Sequence, residues 1–206
     1  MSPPDETAEK DKRDAEYHRR ILAAARKLMD RNGFESVNMH QIAQEAGIGQ
    51  GTLYRRYEHP GEIYTELLRT SMEHSIHSME SEFGSASSAI SSLDQLRALI
   101  ERILQFLDED AELLSNISSM YAGKKDFLPY KRPIMARLRG LIQHLLERVV
   151  KEEAAEGVDI TLYTHFLMSA LAPEQYLHHR DELGYSKERY LAGFCRLFVE
   201  GLRKGE

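Results

Sequence analysis

Residues 37–68 read VNMHQIAQEAGIGQGTLYRRYEHPGEIYTELL, and the fold turns on this stretch. Met39 to Ala46 has the pattern of a short helix. Asn38 is placed as its N-cap, and Gln41, three residues on, completes a capping box. Gly47 then permits a tight turn. A second short helix is predicted from Gln50 to about Tyr57, and a longer one from Pro60, a residue favoured in the first helical turn. Two short helices joined by a glycine turn define a helix-turn-helix. Ile42 and Ala43 point inward from the first helix, with Ile48, Leu53 and Tyr57 completing a small core.

The second helix is too short and too polar to be stable alone. Gln50, Thr52, Tyr54, Arg55 and Arg56 offer amide, hydroxyl, phenol and guanidinium groups close together. Those are the groups that reach phosphates and base edges in a DNA major groove. Gly51 weakens a helix and gains nothing by packing, but it lets a backbone come close to DNA. On this reading Gln50 and Arg55 read bases, while Thr52, Tyr54 and Arg56 contact phosphates. Asn38, Arg19 and Arg20 join the DNA-contact set, and Arg13 adds sequence-independent attraction.

Upstream, Ile21, Leu22, Ala25, Leu28 and Met29 recur at helical spacing, and Gly33 follows as a stop. Residues 1–13 are polar and charged and are expected to be a disordered arm. Residues 14–59 form the helix-turn-helix domain, and residues 60–206 a larger helical domain for ligand binding and dimerisation. The helix from Pro60 carries Leu68, Met72, Ile76, Met79 and Phe83. GSASSAISS, residues 84–92, reads as a linker. Beyond it come helices marked by Leu93 to Leu107 and by Ile134 to Val149. Another is capped by Asp159 and runs until Pro173, and a last one is capped by Ser186. No stretch alternates as a strand does, so the fold class is all-α.

The chain has 206 residues, enough for a substantial core, and a formal charge of −6. That average conceals a split. Residues 12–57 hold nine Lys/Arg and five acids, leaving a surplus of four positive charges against minus ten for the rest. No apolar run approaches the ~18 residues of a membrane helix, and no secretory signal opens the chain. A single cysteine, Cys195, excludes an internal disulfide framework and fits a reducing, cytoplasmic setting.

The run from Arg20 to Leu68 resembles the DNA-binding domain of the TetR family of bacterial transcriptional regulators. The matching pieces are RRILAAARKLMDRNGFESV, IAQEAGIGQGTLYRRY and the helix beginning at Pro60. Three positions depart from the family pattern: Gly49 where a serine usually caps the second short helix, Arg56 for a histidine, and Pro60 for a lysine. The resemblance implies a homodimer that binds a palindromic operator, usually to repress transcription, and is released by a small molecule. It implies no cofactor and no catalysis. Phosphate-binding glycine loops, a Gly-x-Ser-x-Gly elbow and zinc-binding Cys/His spacing are absent from the sequence.

The effector pocket is expected between the helix at 60–83 and the helices that follow, lined by Met72, Met79, Phe83, Met120, Tyr121, Phe127, Tyr163 and Phe166. That lining suits an uncharged, apolar or aromatic organic ligand, with one polar contact from His74 or His77. The dimer surface is expected on the helices at about 159–172 and 186–204, where Gly193 and Gly201 permit close packing. Two other classes compete with this reading. One is a helical enzyme or metal-binding protein using Glu73, His74, His77, His178 and His179; the other is an interaction protein whose first domain has lost DNA binding.

Overall fold

A computed structural model describes residues 6–84, 90–121, 133–155 and 157–203, without the side chains of residues 6–8, 118, 120 and 121. Every regular element among them is helical. They are α1 (Glu6–Asn32), α2 (Met39–Ala46), α3 (Gln50–Tyr54), α4 (Pro60–Phe83), α5 (Ser92–Glu109), α6 (Ala111–Tyr121), α7 (Pro133–Glu152), α8 (Ile160–Ala170), α9 (Pro173–Leu177) and α10 (Lys187–Phe198). Among the described residues no helix is long and apolar enough to cross a membrane.

The chain divides into two units. The first takes the described residues up to Thr70 together with Asn116–Met120. Its core is built from Ile21, Ala25 and Leu28 of α1, Ile42 and Ala43 of α2, Leu53 of α3 and Ile63 of α4, all buried. The boundary expected at residues 59/60 therefore shifts, since α4 belongs to this unit as far as Thr70. Packing explains the shift: Ile63, Tyr64 and Leu67 are buried, and the Tyr64 ring packs against Phe34 at a tilt, with centroids 4.2 Å apart. Leu67 is buried and Leu68 only half-buried, which corrects the predicted stripe.

The arm expected over residues 1–13 is helical from Glu6 onward. Its Glu, Lys, Arg and Ala residues, read as a solvated arm, are also good helix formers, and Glu9 precedes Arg13 by the four residues that favour an ion pair. The α3 helix ends at Tyr54, three residues earlier than predicted.

The second unit runs over Ser71–Ser115 and again from Tyr121. Within it α5 packs on α7, α7 on α8, and α10 on α5. Leu96, Leu99, Ile100, Leu145, Leu146 and Val149 are almost wholly buried. The predicted caps are present: Asp159 accepts from Leu162 N at 2.9 Å and Ser186 from Arg189 N at 3.2 Å. Three features differ from expectation. Ser91 and Ser92, assigned to a linker, cap and begin α5, while residues 85–89 of that stretch lie outside the described residues. Pro173 opens α9, which runs into a π-helical turn at His178–Glu182. The last helix stops at Phe198, so Gly201 sits in a separate 3-10 turn.

Ser92 also fastens α5 to α7. Its backbone N and its Oγ donate to the two carboxylate oxygens of Glu152 at 2.9 and 2.6 Å. These bonds hold the Glu152 carboxyl below its ordinary 4.5. A depressed carboxyl pKa stabilises the fold above the unfolded value, and that contribution is lost as pH falls through the folded value. Glu152→Gln should therefore flatten the acid side of the stability–pH curve below about 4.5. Urea melts at a series of pH values would read this, and an unchanged acid limb would refute it.

Candidate nucleic-acid interface

The helix-turn-helix is built as its sequence demands. Asn38 Oδ1 accepts from Gln41 N at 3.1 Å, and Asn38 N donates to Gln41 Oε1 at 3.0 Å, closing the capping box at the start of α2. Gly47 follows with φ 62°, a left-handed conformation that side-chain-bearing residues rarely adopt. A Cβ there would also lie 2.7 Å from a nitrogen of Arg20.

That nitrogen has a structural task. Arg20 Nε and Nη2 donate to the Ala46 carbonyl at 2.9 and 2.5 Å, and Nη2 donates to the Gly47 carbonyl at 2.8 Å. The last carbonyls of a helix have no intrahelical partner. Arg20 satisfies them and places its charge at the negative end of α2. In the structure the Arg20 guanidinium pins the turn between α2 and α3. The sequence signal was available, since an Arg in α1 can reach a glycine turn, but spacing alone did not separate that task from DNA contact.

On α3, Leu53 is buried, Gln50, Gly51 and Tyr54 are exposed and Thr52 is half-buried, and the C-cap residue Arg55 is exposed. Tyr54 is 53% exposed, a large fraction for an aromatic with no role in the core. Arg55 has no ion-pair partner among the described residues. Nothing lies within 4 Å of a Cβ built on Gly51, so internal packing does not require its glycine. Gln50 Nε2 lies 2.5 Å from His40 Nδ1, which brings His40 of α2 beside α3. Sequence reasoning missed His40; its signal was a polar residue at the exposed start of α2.

The remaining candidates are partly engaged. Arg56 is half-buried and pairs with Asp14 at 2.5 Å rather than standing free. Arg19 pairs with Glu16 of its own helix at 2.7 Å, both exposed, a tie that solvent screens heavily. Asn38 uses its side-chain oxygen as the cap.

The effector candidates scatter. Met79 and Phe83 are buried and Met72 is half-buried. Tyr163 donates its hydroxyl to the Phe198 carbonyl at 2.8 Å. Phe166 is 59% exposed and so is a surface residue, because its position on α8 is one step from the buried Leu167. The side chains of Met120 and Tyr121, and all of Phe127, lie outside the described residues. His74 and His77 are exposed, and among the described residues no group of three metal-binding side chains comes together.

The fold and this surface define a helix-turn-helix DNA-binding domain joined to a helical C-terminal domain. Residues 21–59 match the family model described as "Bacterial regulatory proteins, tetR family". A curated HTH-type transcriptional regulator of Staphylococcus aureus (strain USA300) is 36% identical over 63 residues, 30% of this chain and 34% of that protein. The match thus spans about a third of that relative's length. Solved structures agree over most of the chain at lower identity. A TetR/AcrR-family transcriptional regulator from Thermobifida fusca has a TM-score of 0.68 at 15% identity, covering 90% of this chain and 98% of its own. The fatty acid degradation regulator FadR from Bacillus halodurans gives 0.63 at 18%, covering 90% and 96%. FadR from Bacillus subtilis, solved with stearoyl-CoA, gives 0.62 at 19%, covering 88% and 97%.

Proposed function

We propose that this chain is a cytoplasmic, ligand-responsive transcriptional repressor, not an enzyme, that binds a palindromic operator as a homodimer. The observation that carries the reading is α3: Gln50, Gly51 and Tyr54 are exposed on a five-residue helix whose one buried side chain, Leu53, anchors it to α2, and Arg55, its C-cap, is exposed beside them. Gln50 and Arg55 read bases, and Tyr54, Thr52, Asn38 and Arg19 contact phosphates. Support for a homodimer comes from the second unit, where Leu162, Phe166 and Leu197 are exposed apolar side chains. Support for a lipophilic effector comes from Met79 and Phe83 in that unit's interior. The stearoyl-CoA in Bacillus subtilis FadR makes a long acyl thioester the first effector to try.

Fluorescence anisotropy with the DNA flanking the chain's own gene tests the reading. Affinity should fall steeply with salt, and stearoyl-CoA should release the DNA. Arg55→Ala should cost ~1–3 kcal/mol on the operator and relax specificity at one base pair, leaving random DNA nearly unaffected. Equal weakening on both would make Arg55 a phosphate contact instead.

Gly51→Ala separates fold from function. With open space around its Cβ, it should stabilise α3 by up to ~1 kcal/mol in a melt. It should also weaken DNA binding, because the added methyl meets the DNA that the glycine lets in. Unchanged affinity would mean that α3 does not approach DNA at this position.

A further inference from the structure

Arg56 stands two residues beyond α3, where the phosphates bordering a major groove would flank the recognition helix. Its guanidinium turns instead toward α1. Nη2 lies 2.5 Å from Asp14 Oδ1, and Cζ sits 5.5 Å from the Tyr17 ring centroid. The pairing is single, not forked, and the buried Nε has no hydrogen-bond partner. An ion pair shaped for stability alone would use the planar two-donor geometry that arginine offers a carboxylate. Asp14 keeps 41% of its side chain exposed and Arg56 21%, so the pair is open to solvent on one side.

The surroundings are basic. Lys10, Arg13, Asp14 and Tyr17 follow one another at helical spacing on α1, and Lys10, Arg13 and Arg56 all act on the Asp14 carboxyl to hold its pKa down. A carboxylate among three cations beside a recognition helix opposes the very attraction those cations supply to DNA.

Resting on the DNA-binding reading above, we propose that Asp14 is an affinity-setting residue: its carboxylate holds Arg56 away from the DNA backbone, and a phosphate must displace it to recruit Arg56. Binding to DNA exchanges the Asp14–Arg56 pair for an Arg56–phosphate pair and leaves the carboxylate to solvent. The exchange lowers affinity for every sequence alike, because phosphates carry no sequence information. It keeps the protein off random DNA and leaves discrimination to Gln50 and Arg55.

The test is Asp14→Asn in the full chain, measured by anisotropy on a mixed-sequence duplex of about 30 base pairs, long enough for two half-sites a helical turn apart. With no carboxylate to displace, each protomer should bind up to about fivefold more tightly, the worth of an exposed ion pair, while the slope of log affinity against log salt, set by the number of phosphates contacted, stays close to wild type. In an Arg56→Gln background the same change should give most of this gain no longer. Circular dichroism checks folding, and Asp14→Ser replaces the asparagine variant if the latter does not fold. An unchanged affinity with wild-type binding intact overturns this proposal alone, as does a gain that persists in full without Arg56. A wild-type chain that shows no salt-dependent binding overturns the DNA-binding reading and this proposal with it.

Discussion

Arg20→Met should abolish DNA binding on every sequence and remove ~2–4 kcal/mol from the stability of the N-terminal unit. The loss has two parts. Three charge-assisted hydrogen bonds to the Ala46 and Gly47 carbonyls disappear, and hydrogen bonds to charged groups are worth ~1.5–3 kcal/mol net. The C-terminal carbonyls of α2 then lose their partner beside the buried Ala46 side chain. Methionine keeps much of the aliphatic volume, so packing changes little and the hydrogen bonds are what is tested. Arg20→Lys should recover only part of the loss, because an ammonium on a flexible stem does not span two carbonyls as the planar fork does. Urea melts and anisotropy together decide it. If Arg20 were a phosphate contact, melting would hold, binding would weaken modestly, and the salt slope would flatten by about 0.9 per protomer. That outcome would undo the structural role.

How far the sequence anticipated all this varies with the range of the interaction. The capping box at Asn38 and Gln41, the left-handed Gly47 and the caps at Asp159 and Ser186 were readable because each is settled within about four residues of chain. The partners of Arg20 and Arg56 were not, since the contacts close across 26 and 42 residues. An arginine near a recognition helix reads as a phosphate donor until its three-dimensional neighbours are known. The same limit explains Phe166. Helical periodicity gave α8 an apolar face and a second apolar edge, but only the packing of α7 against α8 decided that Leu167 is buried and Phe166 is not. The expected end of α3 near Tyr57 failed for a local reason. Residues 55–57 close turns back to Gly51 and Leu53 and do not propagate the helix, since Arg56 N and Tyr57 N both donate to the Leu53 carbonyl.

Phe166→Asp combined with Leu197→Glu should convert the protein to a monomer at micromolar concentration, with a scattering mass near 23.7 kDa, and lower operator affinity by two orders of magnitude or more. The argument starts from exposure. Phe166 is 59% and Leu197 74% exposed, and Leu162 on the turn before Phe166 is 49% exposed. Leu162, Phe166 and Ser169 follow at helical spacing on one exposed face of α8, opposite the buried Thr164 and Leu167. On α10, Gly193 and Leu197 are exposed one turn apart, opposite the buried Cys195. Nothing within 4 Å would meet a Cβ at Gly193, although a glycine costs a helix interior ~1 kcal/mol relative to alanine. A second copy approaching closely gives that glycine a reason that its own chain does not. A hot-spot anchor at the centre of an interface carries ~2–4 kcal/mol, Phe166 being the candidate here, and an unpaired carboxylate at either position adds a desolvation penalty. Losing the dimer separates two half-site contacts that had acted as one, and linkage of that sort is worth 10²–10⁴ in affinity. Because both side chains are exposed within the chain, the substituted monomer should melt no earlier than a wild-type monomer. A substituted chain that kept its wild-type mass would place the dimer surface elsewhere. One that became monomeric yet bound the operator as tightly as before would end the two-half-site reading.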